Sequence, residues 1–240
     1  MADDPLRDAI ERELVVENSG WAFERVERVT SLLAQTFPGA QRFETLVLWS
    51  ADHGAFTAPG RTIYISRRLL ERLPDDAAAA FVIAHEIAHH RLGHVPSSIT
   101  AWSQLPLKLA LLLLSKLITG PERERDADLL GIEMCVDAGY DPERCILALE
   151  IVDQVFLDYG DVAGSLGPDD GASRWWWSRG RGYFSMRERI AMLRAHVAAM
   201  KHGARIVIDP AAARARRRKL AMIAAGSAAA GVALLLLRRR

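Results

Sequence analysis

His85-Glu86-Ile87-Ala88-His89 stands in an apolar setting, with Val82-Ile83-Ala84 before it and Ile87-Ala88 inside it. The Ala-rich run that opens after Pro74-Asp75-Asp76 continues through it, so one helix carries the whole segment, with Asp76 expected at its N-cap. The apolar flanks sink that helix in a core. Two histidines and a glutamate taken inward are costly unless something satisfies them. Residues four apart lie about 40° apart around a helix axis, so both imidazoles reach one point while Glu86 borders it. The pattern points to a zinc ion held by His85 and His89, with Glu86 beside the water to be deprotonated.

Such a centre needs a third protein ligand and an open position. Cys135 and Cys145 are the only cysteines, so a Cys-rich zinc ribbon and a disulfide scaffold are both excluded. A metzincin arrangement would need glycine at 92 and histidine at 95, where the chain has Leu92 and Val95. The remaining source is a later acid, and Glu122-Arg123-Glu124-Arg125-Asp126-Ala127-Asp128 offers one on a helix opened by Pro121. His90 and His94 are expected not to ligate the metal.

HEIAHHRLGH, followed by ERERDADLLG and AGYDP, resembles the membrane-associated gluzincins typified by HtpX and the CAAX prenyl endopeptidases. The resemblance covers roughly residues 20–200. It implies Glu124 as the third zinc ligand and Asp128, four residues on, as the partner orienting a ligand histidine. It further implies that the strand in GAFTAPGRTIYIS, with Gly54 in place of the usual Asn, is a sheet edge along which an extended peptide adds. Arg61, Thr62, Ile63, Tyr64, Ile65 and Ser66 are the substrate-binding candidates on that basis. The family's His-Pro then Arg-Ile becomes Tyr183-Phe184-Ser185-Met186-Arg187-Glu188-Arg189-Ile190. Arg189 is thereby expected to support the site, and Tyr183 to donate to a developing oxyanion where the family has histidine.

The net charge of +1 hides an asymmetry: residues 214–240 hold eight basic residues and no acid, leaving 23 basic against 30 acidic, or −7, in the rest. A partner for the tail is therefore anionic. Leu220 to Leu237 is an 18-residue stretch without charge, preceded by Arg214, Arg216, Arg217, Arg218 and Lys219 and followed by three arginines. As a helix it would be about 27 Å long, close to a bilayer's hydrocarbon core. The flanking charge predicts a single-pass C-terminal anchor with the body on the cytoplasmic side. That makes lipid headgroups the expected polyanion and nucleic acid not. An Ala-rich helix packed on the body is the other reading. The N-terminal MADDPLRDAIEREL is acidic and has no apolar run, unlike a secretory signal.

A second apolar run, Leu105 to Ile118, is interrupted by Lys108 and Lys116 and is too short to span; packing on the core or dipping into a membrane interface are both open. Trp175-Trp176-Trp177, in a long loop with Arg174, Arg179 and Arg181, fits a lipid contact, a flap over the cleft or plain packing.

The expected fold is α+β and mostly helical. A zincin-like metallopeptidase domain over 1–200 holds a small sheet built from 45–49 and 62–66. A basic juxtamembrane linker follows over 201–219 and a transmembrane helix over 220–237. The expected activity is zinc-dependent endopeptidase action on extended polypeptide segments, with a role in membrane protein quality control. The alternative is a chaperone or adaptor of the same fold with a shut zinc site.

Overall fold

A computed structural model describes residues 5–36, 42–49, 54–99, 105–165 and 185–237 of the chain. Two helical stretches come first, α1 (Pro5–Glu13) and α2 (Trp21–Ala34), separated by a short strand β1 (Val15–Glu17). Strands β2 (Glu44–Trp49), β3 (Ala55–Ala58) and β4 (Thr62–Ser66) follow, then α3 (Arg67–Arg72) and α4 (Asp76–Arg91). The rest is helical: α5 (Leu107–Ile118), α6 (Pro121–Asp137), α7 (Pro142–Ser165), α8 (Met186–Met200) and α9 (Pro210–Leu237). A mostly helical chain with one small sheet is the α+β class expected.

The sheet has the order β1-β2-β4-β3. β2 and β4 pair in parallel with Leu46 opposite Tyr64, and β3 returns antiparallel on β4 with Phe56 opposite Tyr64. Period-two alternation sends the two faces into different cores. Val47, Ala55, Ile63 and Ile65 join Val26 and Val29 of α2, the apolar side of α4, and residues of α6 and α7. Leu46, Leu48, Ala58 and Tyr64 point the other way, onto Ile10 of α1 and Leu107, Ala110, Leu114 and Ile118 of α5. Core packing is therefore one role of the 105–118 run.

This topology corrects one expectation. β4, with Thr62, Ile63, Tyr64, Ile65 and Ser66, is not a sheet edge: β2 and β3 pair on its two sides, and all five residues are buried. The tight Pro59–Arg61 turn folds β3 back on β4, so β3 takes the outer position. A four-residue strand bounded by Gly54 and Pro59 leaves almost no periodic signal.

α4 is buried on nearly every side, as its Ala-rich sequence allows. Its N-cap is Asp75, whose carboxylate accepts from the Ala78 N–H at 2.9 Å, rather than Asp76. Asp76 instead accepts from Arg25 at 3.1 Å and Arg28 at 2.9 Å, tying α2 to α4. α6 crosses α4 closely because position 131 is glycine: a Cβ there would lie 3.1 Å from the His85 backbone nitrogen. At the other end of α6, Glu133 accepts from His196 of α8 and from the Ile206 N–H, each at 2.7 Å, which holds α8 and the segment leading to α9.

α9 takes in both the basic and the apolar stretch of the C-terminus as one helix, with Ala213, Leu220 and Ala224 buried against the body. Among the described residues no helix is long and apolar enough to cross a membrane. Tyr183 and the Trp175-Trp177 loop lie outside the described residues.

Candidate metal centre

His85 and His89, one turn apart on α4, face Glu124 of α6. The two Nε2 atoms are 3.1 Å apart. Glu124 Oε2 lies 3.4 Å from His85 Nε2, and Oε1 lies 3.5 Å from His89 Nε2. Donors around a tetrahedral zinc with bonds near 2.0 Å stand about 3.3 Å from one another. The three donors thus form the base of such a site. Glu124 is buried, and its Oε1 has no hydrogen-bond donor. A buried carboxylate oxygen without a donor, facing two imidazole nitrogens, is what a divalent cation would satisfy.

Each histidine is held from behind. Asp128, one turn beyond Glu124 on α6 and 0% exposed, places Oδ1 2.9 Å from His85 Nδ1. An Nδ1–H donated to Asp128 leaves the Nε2 lone pair for a metal. Arg189 of α8 donates to both oxygens of Asp128 at 2.7 Å. Asp128 thus bridges His85 and Arg189, the two side chains packed against it from α4 and α8. His89 uses a different partner: its Nδ1 is 3.0 Å from His94 Nδ1. With the His89 Nε2 lone pair turned to the metal site, its Nδ1–H donates to His94, which accepts as the neutral Nε2–H tautomer. The place of His94 behind His89 depends on the turn after α4.

That turn is a Schellman motif. Gly93 has φ +77° and donates to His90 O at 3.1 Å, while the His94 N–H reaches back to His89 O at 2.8 Å. The chain reversal swings the His94 ring beside His89. The Gly93 that follows the helical pattern is the sequence signal for the turn, but not for the side-chain contact. His90 faces away from the metal donors: its Nε2 is 2.5 Å from Thr57 Oγ1 on β3, and Phe43 packs edge-on against its ring.

Charge at the centre follows from burial and partners. Without a cation at Nε2, burial lowers the basicity of His85, but its hydrogen bonds to the Asp128 and Glu124 carboxylates outweigh this and hold the imidazole up at about 10; a metal ion would displace the Nε2 proton. Burial pushes Glu86 up to about 7, opposed by His85 and reinforced by Glu124. Burial drives His89 and His90 down to about 3, so both stay neutral. Asp128 is held well below the usual carboxylate range: burial opposes ionisation, and Arg189 and His85 overcome it.

His85, Glu86, His89 and Glu124 line a cleft of about 370 Å³, part of it open to solvent. One wall is β3, through Ala55, Phe56 and Thr57; the other is the end of α5, through Leu114, Ser115, Ile118 and Thr119. Residues 61–66, the strand singled out for substrate, lie behind β3 rather than on this wall.

No curated protein matches the chain. Residues 19–122 match the model of Peptidase family M48, a stretch that contains strands β2 to β4, the cleft walls and the His85–His89 helix and stops two residues before Glu124. Over that stretch the chain is similar to Peptidase family M48, and the His85, His89 and Glu124 cluster could hold a metal ion.

Proposed function

We propose that the protein is a membrane-anchored, zinc-dependent endopeptidase that hydrolyses peptide bonds in extended polypeptide segments. The convergence of two imidazole Nε2 atoms and the Glu124 carboxylate within 3.1 to 3.5 Å, beside Glu86, carries this reading. Zinc held by His85, His89 and Glu124 would supply Lewis acidity toward a water and a peptide carbonyl. The remaining work falls to side chains of this chain. Glu86, next to His85 on α4 and lining the same cleft, suits a base that takes a proton from water and returns it to the leaving amine. β3 offers a sheet edge beside the centre, on which an extended peptide adds by main-chain hydrogen bonds. Phe56, Leu114 and Ile118 line an apolar cleft for side chains next to the cleaved bond. Tyr183 is proposed as a donor to the developing oxyanion.

Anchoring rests on the uncharged Leu220 to Leu237 stretch and its basic flanks, with the catalytic body on the cytoplasmic side and membrane-proximal or misfolded polypeptides as substrates. Full-length protein in liposomes, assayed on casein with and without chelator, tests the activity. Chelator-sensitive cleavage that Glu86→Gln abolishes while metal content is kept is the expected result. Cleavage by Glu86→Gln at the wild-type rate removes Glu86 from the mechanism. Absence of cleavage by a metal-loaded wild type favours the adaptor reading. Recovery of the protein in the soluble fraction after cell lysis without detergent would discard the anchor.

A further inference from the structure

The last carbonyls of a helix have no partner within it. At the end of α4 two carbonyls receive side chains of α9: Arg217 donates at 3.0 Å to His90 O, which also accepts the Gly93 N–H, and Arg216 donates to Leu92 O at 2.5 Å. Between these contacts the two backbones touch. A Cβ on Gly93 would lie 2.3 Å from Ala213 O and 2.8 Å from Ala213 Cα, so only glycine fits against α9 there. Ala213 is buried in that contact. The gripped residues, 90 to 93, lead directly into His94, whose backbone bonds His89 O and whose ring backs His89 Nδ1. The two guanidinium groups also lie at the negative end of the α4 dipole, where cations stabilise a helix.

We propose that the start of α9 is a clamp on the C-terminal end of the metal-binding helix, with Arg216 and Arg217 as positioning residues that hold His89 in place through the Gly93–His94 turn. Two of the five arginines and lysines preceding the apolar stretch are thereby directed at the body. Arg214, Arg218 and Lys219 are left exposed for headgroups. Because α9 continues unbroken to Leu237, a tilt or displacement of its distal part is transmitted to the turn behind His89. The state of the C-terminal helix therefore sets how firmly the metal is held. This consequence rests on the metal reading above; the clamp itself does not.

The test uses full-length protein in detergent, comparing wild type with Arg216→Ala/Arg217→Ala, Arg216→Lys/Arg217→Lys and, as a charge-matched control, Arg214→Ala/Arg218→Ala. Three readouts are taken: zinc affinity by chelator competition, the visible spectrum of the cobalt-loaded protein, and amide hydrogen exchange at Gly93 and His94. The alanine pair is expected to exchange at least tenfold faster at those two amides, to bind zinc at least tenfold more weakly and to change the cobalt spectrum. The lysine pair recovers most of each, and the control behaves as wild type. Unchanged exchange in the alanine pair overturns the clamp, as does an equal loss in the control. Faster exchange with unchanged metal affinity overturns the link to His89. If the alanine pair does not fold, the lysine pair against the control decides: a lysine pair no better folded than the alanine pair overturns the clamp. A wild type that binds no metal contradicts the metal reading separately, and the exchange comparison still decides the clamp.

Discussion

Asp128 grips His85 across the interface of α6 and α4, with Oδ1 2.9 Å from Nδ1 and no exposure to solvent. Its other contacts go to Arg189, so one carboxylate fixes both an imidazole of the candidate metal centre and the helix that follows the 166–184 segment. Asp128→Asn leaves the Arg189 guanidinium without its counter-charge in a buried place. The expected outcome is a loss of about 3 kcal/mol in stability, read by chemical denaturation. Metal affinity should fall roughly 10- to 100-fold. A variant of wild-type stability and affinity would remove Asp128 from the site.

Gly131 lets α6 approach His85, and with it Glu124 and Asp128. Alanine has the better helix propensity by about 1 kcal/mol, yet its Cβ would sit 3.1 Å from the His85 nitrogen and 3.3 Å from its Cα, both backbone atoms of a buried helix. Neither can yield without moving the helix. Gly131→Ala should therefore lower the melting temperature and weaken metal binding together, at a cost of about 1 to 3 kcal/mol. A raised melting temperature would show that the two helices have slack.

His90 ties the edge strand to α4 through Thr57, which lines the cleft. Removing that tie with His90→Ala should raise KM for extended peptide substrates several-fold and change kcat less. His90→Gln, which keeps a hydrogen-bonding group at the site, should restore much of the difference. Steady-state kinetics on peptides of increasing length check this, and equal KM values for all three proteins would contradict it.

Asp75 links the start of α4 to α7, accepting from the Ala78 N–H at 2.9 Å and from Arg144 at 2.7 Å. Burial opposes its ionisation, but these two partners prevail and hold the carboxyl below its ordinary value of 3.8. A carboxyl depressed by folding contributes its full stabilisation above pH 3.8 and loses it as the pH falls through the folded value. Asp75→Asn keeps a capping oxygen and loses the charge, so it should be less stable than wild type at pH 7 by about 0.2 to 1 kcal/mol and indistinguishable well below pH 3. Asp75→Ala should lose about 1 kcal/mol more through the cap. Denaturation midpoints across pH 2 to 7 check the sign.

Much of the centre could be read from residue spacing because helices convert spacing into geometry. His85 and His89 fall on one face by arithmetic, and Glu124 and Asp128 do the same one turn apart on α6, although their pairing with α4 came from the family resemblance. What spacing could not supply were contacts made by irregular backbone. His94 stands behind His89 only because Gly93 adopts a positive φ, and β3 displaces β4 from the sheet edge only because the Pro59–Arg61 turn is tight. The choice of Asp75 over Asp76 as cap likewise depends on where Arg25 and Arg28 draw the second carboxylate. Length, apolar character and flanking charge describe the C-terminal helix but not its contacts; the carbonyls that receive Arg216 and Arg217 belong to a turn more than 120 residues earlier in the chain.

The central claim is that His85, His89 and Glu124 hold one divalent metal ion. Native mass spectrometry of the full-length protein beside Glu124→Ala, both loaded with equimolar zinc, addresses it most directly. One zinc per wild-type chain, with most of the occupancy lost in Glu124→Ala, is the result expected. Equal zinc occupancy in the two proteins, or none in the wild type, would contradict it.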